Sequence, residues 1–158
     1  PTSITKVTGL DAAKIPKGVT PDINTPVLSL TPQEVSVLTK LSTRNPNAEY
    51  AMLGLWKNGH GYTMVGSEGY TYLDMPEVLY TEVFRKYPGD FRLINKQYLA
   101  DIASQNKPIV LETSYSVIES SKTTGAYWEV FKVLETEYNY YLAEDVGPSG
   151  YELLLPPD

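Results

Sequence analysis

The sequence contains no cysteine and only one histidine, His60. The lack of cysteine excludes disulfides, a thiolate nucleophile and cysteine-ligated zinc. Because histidine and carboxylates do not occur at metal-binding spacing, a dedicated zinc site is not expected. A glycine-rich phosphate-binding loop and a nucleophile-elbow motif are also missing. The usual sequence signals of a nucleotide-binding loop and of a serine hydrolase are therefore not present.

Long apolar runs are missing as well. None approaches the roughly 18 residues that a membrane-spanning helix needs, so we expect no stable membrane association. The chain does have 158 residues, of which 42% are hydrophobic. This is enough for one globular domain with its own core.

Positive charge is scarce, and its distribution is uneven. The net charge is −6, and residues 109–158 alone hold two lysines and nine acidic residues, a net charge of −7. Residues 51–108 are neutral overall. A nucleic-acid partner is therefore expected to dock on the middle of the chain, since the last third would repel it. The acidic third could also be no more than a solvated surface.

Residues 1–30 predict a linker or leader arm, because they contain several prolines and glycines and little periodicity. The chain begins with Pro1 and not with Met, and we expect it to be a fragment of a longer protein. Residues 31–158 are then predicted to form the functional domain.

The clearest pattern lies between Asn95 and Thr113. Apolar residues recur at helical spacing as far as Ile102, and a proline at position 108 then ends the helix. The apolar run Ile109–Leu111 is typical of a strand that is covered on both faces. Polar residues follow this strand at once, as is common where a buried strand leads into a binding site.

The remaining patterns complete a prediction of the α+β class, with a single domain, a central mixed sheet of about five strands and three or four helices. An extended N-terminal leader precedes it. The other predicted helices run from a capping box at Thr31–Glu34 to Ser42, from Met75 to Tyr87 and over Ala126–Thr136. The other predicted strands are Tyr50–Trp56, a return strand at Tyr62–Val65 after a hairpin turn at Asn58-Gly59, Tyr70–Leu73, and a closing hairpin of Asn139–Leu142 with Tyr151–Leu155. A mobile loop is predicted at Tyr115–Gly125.

Three side chains are candidates for acid–base or metal chemistry. His60 lies in a glycine-flanked loop and could be a general base or acid near neutral pH, or simply a polar loop residue. Glu112 and Glu129 come near the strand end and on the following helix, where a carboxylate pair could hold Mg²⁺. Both could instead be surface residues, so Mg²⁺ is a possible cofactor only.

Cations and aromatics in the middle of the chain are candidates for substrate binding. They could hold phosphates and stack bases. Lysine and arginine are also ordinary residues of helix surfaces, so a solvated surface is the alternative. The 13 tyrosines favour a recognition surface of some kind. The candidate binding residues are Lys57, Arg92, Lys96 and Tyr72.

Several short motifs follow one another along the chain. They are Leu53-Gly54, the aromatic strand Tyr70-Thr71-Tyr72-Leu73, Asn95-x-x-Tyr98-Leu99, Ile109-Val110-Leu111-x-Thr113 and Gly125-x-Tyr127. Their order resembles that of the C-terminal toxin domains of bacterial polymorphic toxins, on contact-dependent growth inhibition and rearrangement-hotspot proteins. The resemblance covers about two thirds of the chain, from Leu53 to the end.

The resemblance implies a domain that is secreted as part of a larger cell-surface protein and acts in the cytoplasm of a neighbouring cell. Such domains are commonly nucleases, often acting on tRNA. A cognate immunity protein would neutralise the domain, and a host factor in the target cell is a further possible partner.

On this interpretation, we expect a ribonuclease whose catalytic residues surround one site. A base would deprotonate the ribose 2′-OH and an acid would protonate the leaving oxygen, the roles expected for His60 and Glu129. Asn95 and Thr113 would position phosphate or ribose, and Tyr127 would complete the catalytic set. Lys57 or Lys96 would offset negative charge.

Two other functional classes stay open. The chain could be a non-catalytic protein-binding module, including an immunity-type protein, since a tyrosine-rich surface and acidic charge suit protein docking. It could also be a toxin that consumes NAD, as similar delivered toxins sometimes do.

Overall fold

The computed structural model describes residues 29–57, 60–87 and 90–158. The contacts form two compact units, one of Pro1–Ser42 with Met75–Ile94 and one of Thr43–Asp74 with Asn95–Asp158. Almost all of the predicted leader, residues 1–30, lies outside the described residues, as does the predicted turn at Asn58-Gly59. The described chain is of the α+β class, as predicted.

Helices and short strands alternate along the described residues. None of the helices there is both long and apolar enough to cross a lipid bilayer. The helices are α1 (Pro32–Ser42), α2 (Tyr62–Gly66), α3 (Glu77–Lys86), α4 (Phe91–Ser104), α5 (Tyr115–Ser120) and α6, which joins an α-helical turn (Gly125–Tyr127), a π-helical segment (Trp128–Leu134) and a last α-helical turn (Glu135–Glu137). The strands are β1 (Thr43–Arg44), β2 (Ala51–Leu53), β3 (Trp56–Lys57), β4 (His60–Gly61), β5 (Tyr72–Leu73), β6 (Ile109–Leu111), β7 (Tyr141–Leu142) and β8 (Glu152–Leu155).

The first unit contains α1, α3 and the first turn of α4. The predicted capping box is confirmed, because the Thr31 amide donates to Glu34 Oε1 at 2.9 Å and the Glu34 amide donates to Thr31 Oγ1 at 3.1 Å. Asp90 accepts hydrogen bonds from Ser29 Oγ and the Leu30 amide through one carboxylate oxygen. The buried apolar residues of this unit are Leu30, Val35, Leu38, Leu79, Val83, Tyr87 and Ile94.

The second unit is built on a mixed four-stranded sheet in the order β2-β6-β8-β7. The inner strand β6 is parallel to β2 and antiparallel to β8. All three residues of Ile109–Leu111 are buried, as the sequence predicted. One face of the sheet region packs against α4 and α6 through a single apolar cluster that includes Tyr98, Leu99 and Val130.

The stop between α4 and β6 is also confirmed, and its geometry is specific. Asn106 takes a left-handed conformation with φ of 51°, and the Lys107 amide donates to the Ile102 carbonyl at 3.2 Å. This is a Schellman-type end, in which asparagine replaces the more usual glycine. The Lys107 side chain is buried and donates to the Pro46 carbonyl and Thr71 Oγ1.

The predicted return strand at Tyr62–Val65 is wrong, because these residues begin helix α2. The antiparallel partner of β3 is β4, which ends at Gly61. Gly61 has φ of 75° and ψ of −144°, a conformation that is essentially confined to glycine. The return strand therefore ends at Gly61, before the predicted strand would begin and four residues before its predicted end at Val65.

The predicted mobile loop at Tyr115–Gly125 is wrong for its first half, which is helix α5. Ser114 caps this helix by accepting from the Val117 amide. Ile118 anchors it, because this side chain is fully buried in the apolar cluster.

Candidate functional site

The first predicted site residue, Thr113, lies where the parallel strands β2 and β6 end. Its Oγ1 accepts a hydrogen bond from the Leu55 amide at 3.1 Å and donates to Glu112 Oε2 at 2.9 Å. The Glu112 amide in turn donates to the Leu53 carbonyl at 2.8 Å. Polar side chains thus gather at the carboxyl ends of two adjacent parallel strands, the usual place for a site in such sheets.

Gly54 makes this arrangement possible because it leaves room for the carboxylate. A Cβ atom at Gly54 would lie 2.7 Å from Glu112 Oε2 and 3.2 Å from Thr113 Oγ1. At 2.7 Å the end of the flexible Glu112 side chain must shift, and 3.2 Å is tighter than most Cβ contacts, so a side chain here would move the Glu112 carboxylate. Gly54 belongs to the first family-like motif, and its spatial role explains why glycine is needed there.

Gly54→Ala is expected to lower the free energy of unfolding by about 1–3 kcal/mol, because the pair must move and partly lose its hydrogen bonds. The matched control is Gly125→Ala, since a Cβ there would lie 3.8 Å from Glu129 Oε1, an ordinary contact distance. Urea unfolding of both variants measures the difference. Equal stability of the Gly54→Ala variant and the unmodified protein would contradict the close packing at Gly54.

Glu129 lies in the π-helical part of α6, one turn after Gly125. Its side chain makes no hydrogen bond to any described residue. The residue as a whole is only partly buried, although protein surrounds its carboxyl group. π-helical segments of this kind are frequent at functional sites.

Burial raises the pKa of the Glu129 carboxyl from 4.5 to about 8. The physical cause is desolvation, because protein surrounds the carboxylate and no hydrogen-bond donor or cation among the described residues compensates for the lost water. At pH 7 the group is mostly a neutral acid. A carboxyl group with this property can donate a proton in a reaction at neutral pH.

Two tyrosines are within electrostatic reach of Glu129. Burial, with the charge of Glu129 second, raises the pKa of both Tyr62 on α2 and Tyr98 on α4. The hydroxyl of Tyr62 donates to the Leu73 carbonyl at 3.1 Å, and that of Tyr98 donates to the Thr71 carbonyl at 3.2 Å. Because both hydroxyl protons are used in this way, neither tyrosine stabilises the Glu129 carboxylate.

Asn95 lies on α4 one turn before Tyr98, and therefore on the same side of that helix. It is partly buried, and its side chain makes no hydrogen bond among the described residues. Helix α4 thus carries both Asn95 and Tyr98, whose pKa is raised by burial and by the charge of Glu129. Thr113 belongs to the same compact unit, but its contacts are with the β2 end and not with Glu129.

Tyr127 lies in the first turn of α6, where its amide donates to the capping side chain of Thr124. Its ring stacks on Phe131, with 5.0 Å between ring centroids, and Phe131 also contacts the ring of Tyr115. All three rings are partly exposed. Tyr127 therefore belongs to an aromatic cluster on the same helix as Glu129.

The predicted substrate-binding residues occupy different environments. Lys96 forms an ion pair with Glu137 at 3.2 Å, and both side chains are largely exposed. Tyr72 is buried, and its ring lies against Gly66, so it packs within the unit and offers no exposed stacking surface. Arg92 is exposed and belongs to the first unit. The backbones of Lys57 and His60 pair with each other, but their side chains lie outside what the structure describes.

A metal site is not apparent among the described residues. No three histidine or acidic side chains in that part of the chain are close enough to hold an ion together. Glu112 accepts a hydrogen bond from Thr113, and the contacts of Glu129 include no second carboxylate. A Mg²⁺ ion shared by Glu112 and Glu129 therefore stays a prediction.

Sequence reasoning did not identify Gly54, Tyr62 and Tyr98 as site residues. A glycine directly after a buried strand was a usable signal for Gly54. Tyr62 and Tyr98 gave no comparable signal, because their relation to Glu129 depends on three helices that are far apart in the chain.

Comparisons of the chain with protein-family models, with curated proteins and with solved structures gave no match. A functional proposal must therefore be supported by the geometry around Glu129 and by the likeness of the sequence motifs.

Proposed function

We propose that the chain is a ribonuclease toxin domain in which Glu129 is the general acid. The observation that carries the proposal is the partly buried Glu129, whose carboxyl makes no hydrogen bond to a described residue and has a pKa raised by burial to about 8. Such a group costs stability, and strongly shifted groups of this kind are concentrated at functional sites. The motif resemblance supplies the nuclease class.

The proposed reaction is an internal transfer at one phosphodiester of RNA. The ribose 2′-oxygen loses its proton to a base and forms a bond to phosphorus, while the bond from phosphorus to the 5′-oxygen breaks. The Glu129 carboxyl gives its proton to that 5′-oxygen, so the leaving group departs as an alcohol. The products are a 2′,3′-cyclic phosphate and a free 5′-hydroxyl, and no redox partner or cofactor is consumed.

His60 is the proposed base. It is the sole histidine of the chain, and histidine is a common general base near neutral pH. His60 precedes Tyr62 by two residues, and Tyr62 is within electrostatic reach of Glu129. This closeness in the chain supports the choice of His60 as the base.

The other predicted residues have positioning roles in this proposal. The side-chain amide of Asn95, which bonds to no described residue, lies on the Tyr98 side of α4 and is suited to hold a phosphate or ribose oxygen. Thr113 would orient the substrate at the β6 end. Lys96 would exchange its ion pair with Glu137 for a phosphate, and Lys57 would add positive charge, whereas Arg92 belongs to the first unit and has no role in this site.

In the same proposal, the domain is delivered from a larger secreted protein into the cytoplasm of a competing bacterium. Cleavage of tRNA there stops translation, and a cognate immunity protein protects the producing cell. These partners follow from the motif resemblance alone.

The test is incubation of the purified chain with total tRNA and, separately, with NAD, each with Mg²⁺ and with EDTA. We expect tRNA fragments with 2′,3′-cyclic phosphate ends and no loss of NAD. Loss of NAD without RNA fragments would favour the NAD-consuming alternative. If neither substrate changes, the ribonuclease proposal fails and a binding module is left.

A further inference from the structure

The two edges of the four-stranded sheet differ in how they are covered. Strand order places β2 at one edge and β7 at the other. Thr71 covers the β2 edge, because the Met52 amide donates to the Thr71 carbonyl at 2.8 Å and the Thr71 amide donates to the Tyr50 carbonyl at 2.9 Å. The chain therefore uses the hydrogen-bonding groups of the β2 edge internally.

The β7 edge has no such cover in the described part of the chain. Leu142 lies opposite Leu154, while the next residue, Ala143, donates from its amide to the Leu153 carbonyl at 2.9 Å. Residues of an antiparallel pair alternate between bonding to the partner strand and pointing away from it. The N–H and C=O of Leu142 therefore point outward, and neither bonds to a described residue.

The segment of the chain that contains this edge has charged side chains of one sign only. From residue 133 to the end, the chain has six acidic residues and no lysine, arginine or histidine. Glu144 and Asp145 are exposed directly after β7. Exposed apolar surface accompanies them, since Tyr141 keeps 47% and Val146 keeps 66% of its surface accessible.

We propose that β7 is a docking edge for an extended, basic segment of a partner protein, which would add a fifth strand to the sheet. Main-chain hydrogen bonds to Leu142 would give the register, and the acidic residues would select lysine- or arginine-rich strands. Charges next to an edge also keep unsuitable strands away, so acidic segments would be rejected. The docking edge is separate from the proposed ribonuclease site, and peptide binding there does not depend on RNA cleavage.

The probe is a fluorescein-labelled heptapeptide of alternating lysine and valine, titrated into the full chain. The matched control is the same peptide with N-methyl groups on alternate residues, which keeps the charge but removes the N–H donors of one edge. We expect the unmodified peptide to bind about tenfold more tightly, as the loss of one or two hydrogen bonds implies. The double variant Glu144→Gln/Asp145→Asn is expected to bind it several-fold more weakly.

Amide hydrogen exchange provides an internal comparison within the protein. The Leu142 amide is expected to exchange about tenfold more slowly when the peptide is bound, because it gains a hydrogen bond. The Ala143 amide already donates to Leu153 and is the reference.

Several outcomes would overturn the docking edge. Equal binding of the N-methylated peptide would mean that charge alone attracts the probe, and absence of binding or of Leu142 protection would remove the strand addition. Protection of Leu142 that rises with protein concentration, without peptide, would identify a second copy of the chain as the occupant in place of a basic partner.

Discussion

Glu129→Gln is expected to lower the rate of RNA cleavage by about 10²- to 10⁴-fold, the usual contribution of a general acid. Glutamine matches the shape of the neutral acid but has no proton to give to the leaving 5′-oxygen. The experiment compares single-turnover cleavage of tRNA by the unmodified chain and by the variant. Growth of cells that express each form without an immunity protein gives a second measurement.

The pH dependence of the unmodified chain makes this prediction more specific. The acid must be protonated, so the rate should fall about tenfold per pH unit above the pKa of Glu129, about 8. The base must be unprotonated, so the rate should also fall on the acidic side, where the base takes up a proton. Between these limits the rate should be nearly constant. The residual activity of Glu129→Gln should lack the decline above pH 8.

The matched control is Glu144→Gln, which removes one exposed carboxylate from the same acidic region. We expect this variant to cleave RNA at the unmodified rate between pH 6 and 8, since Glu144 is not part of the catalytic set. If Glu129→Gln retained full activity, Glu129 would be removed from the mechanism even if RNA cleavage itself were observed.

The same substitution is expected to stabilise the folded chain at high pH. Below pH 4.5 Glu129 is protonated in both the folded and the unfolded state, so the two proteins should be almost equally stable. As the pH rises from 4.5 to about 8, the unfolded state releases its proton first, and the unmodified chain loses stability over this window. Above pH 8 the loss should be complete. Glutamine has no charge to desolvate, so the variant avoids this loss.

The size of the effect follows from the pKa difference. Each pKa unit corresponds to about 1.4 kcal/mol, and the rise from 4.5 to about 8 therefore sets an upper limit of about 5 kcal/mol. Because the residue is partly exposed, we expect about 2–4 kcal/mol in favour of Glu129→Gln at pH 9. Higher stability together with loss of activity is typical when a residue that serves function at a cost in stability is replaced.

Urea unfolding of the unmodified chain, Glu129→Gln and Glu144→Gln at pH 4.5, 7 and 9 measures this difference. The stability gained by Glu129→Gln should grow with pH, whereas Glu144→Gln should show no such trend. A constant difference between Glu129→Gln and the unmodified chain across the three pH values would show that Glu129 titrates normally.

The stretch from Asn95 to Thr113 shows what local sequence can predict. Helical spacing, a proline stop and an apolar triplet were enough to give α4 and the inner strand β6, because each signal acts within a few residues. The stop itself needed more than proline, since the left-handed Asn106 ends the helix. The sequence therefore predicted the main elements around the site.

The errors occurred where one backbone angle or one cap overrides the pattern. Tyr62–Val65 has the composition of a strand, but Gly61 turns the chain into α2. The polar segment after Ser114 resembles a loop, but a single capping side chain and the buried Ile118 give a short helix. The spacing of apolar residues does not reveal such effects, because each depends on a single residue.

The environment of Glu129 could not be predicted from its neighbours in the chain. Its raised pKa depends on enclosure by protein. The tyrosines whose pKa its charge helps to raise, Tyr62 and Tyr98, come from α2 and α4. The sequence suggested Glu129 only as a helix carboxylate near a strand end. The enclosure of its carboxyl without a hydrogen bond to a described residue is a property of the tertiary structure.

A ¹³C NMR titration of the glutamate side-chain carboxyls, with Glu129→Gln used to assign the Glu129 signal, tests the central claim most directly. We expect the Glu129 carboxyl to titrate with a midpoint near pH 8, far from the exposed glutamates. A midpoint near 4.5 would mean that the group is ionised at neutral pH, and it could not then be the general acid.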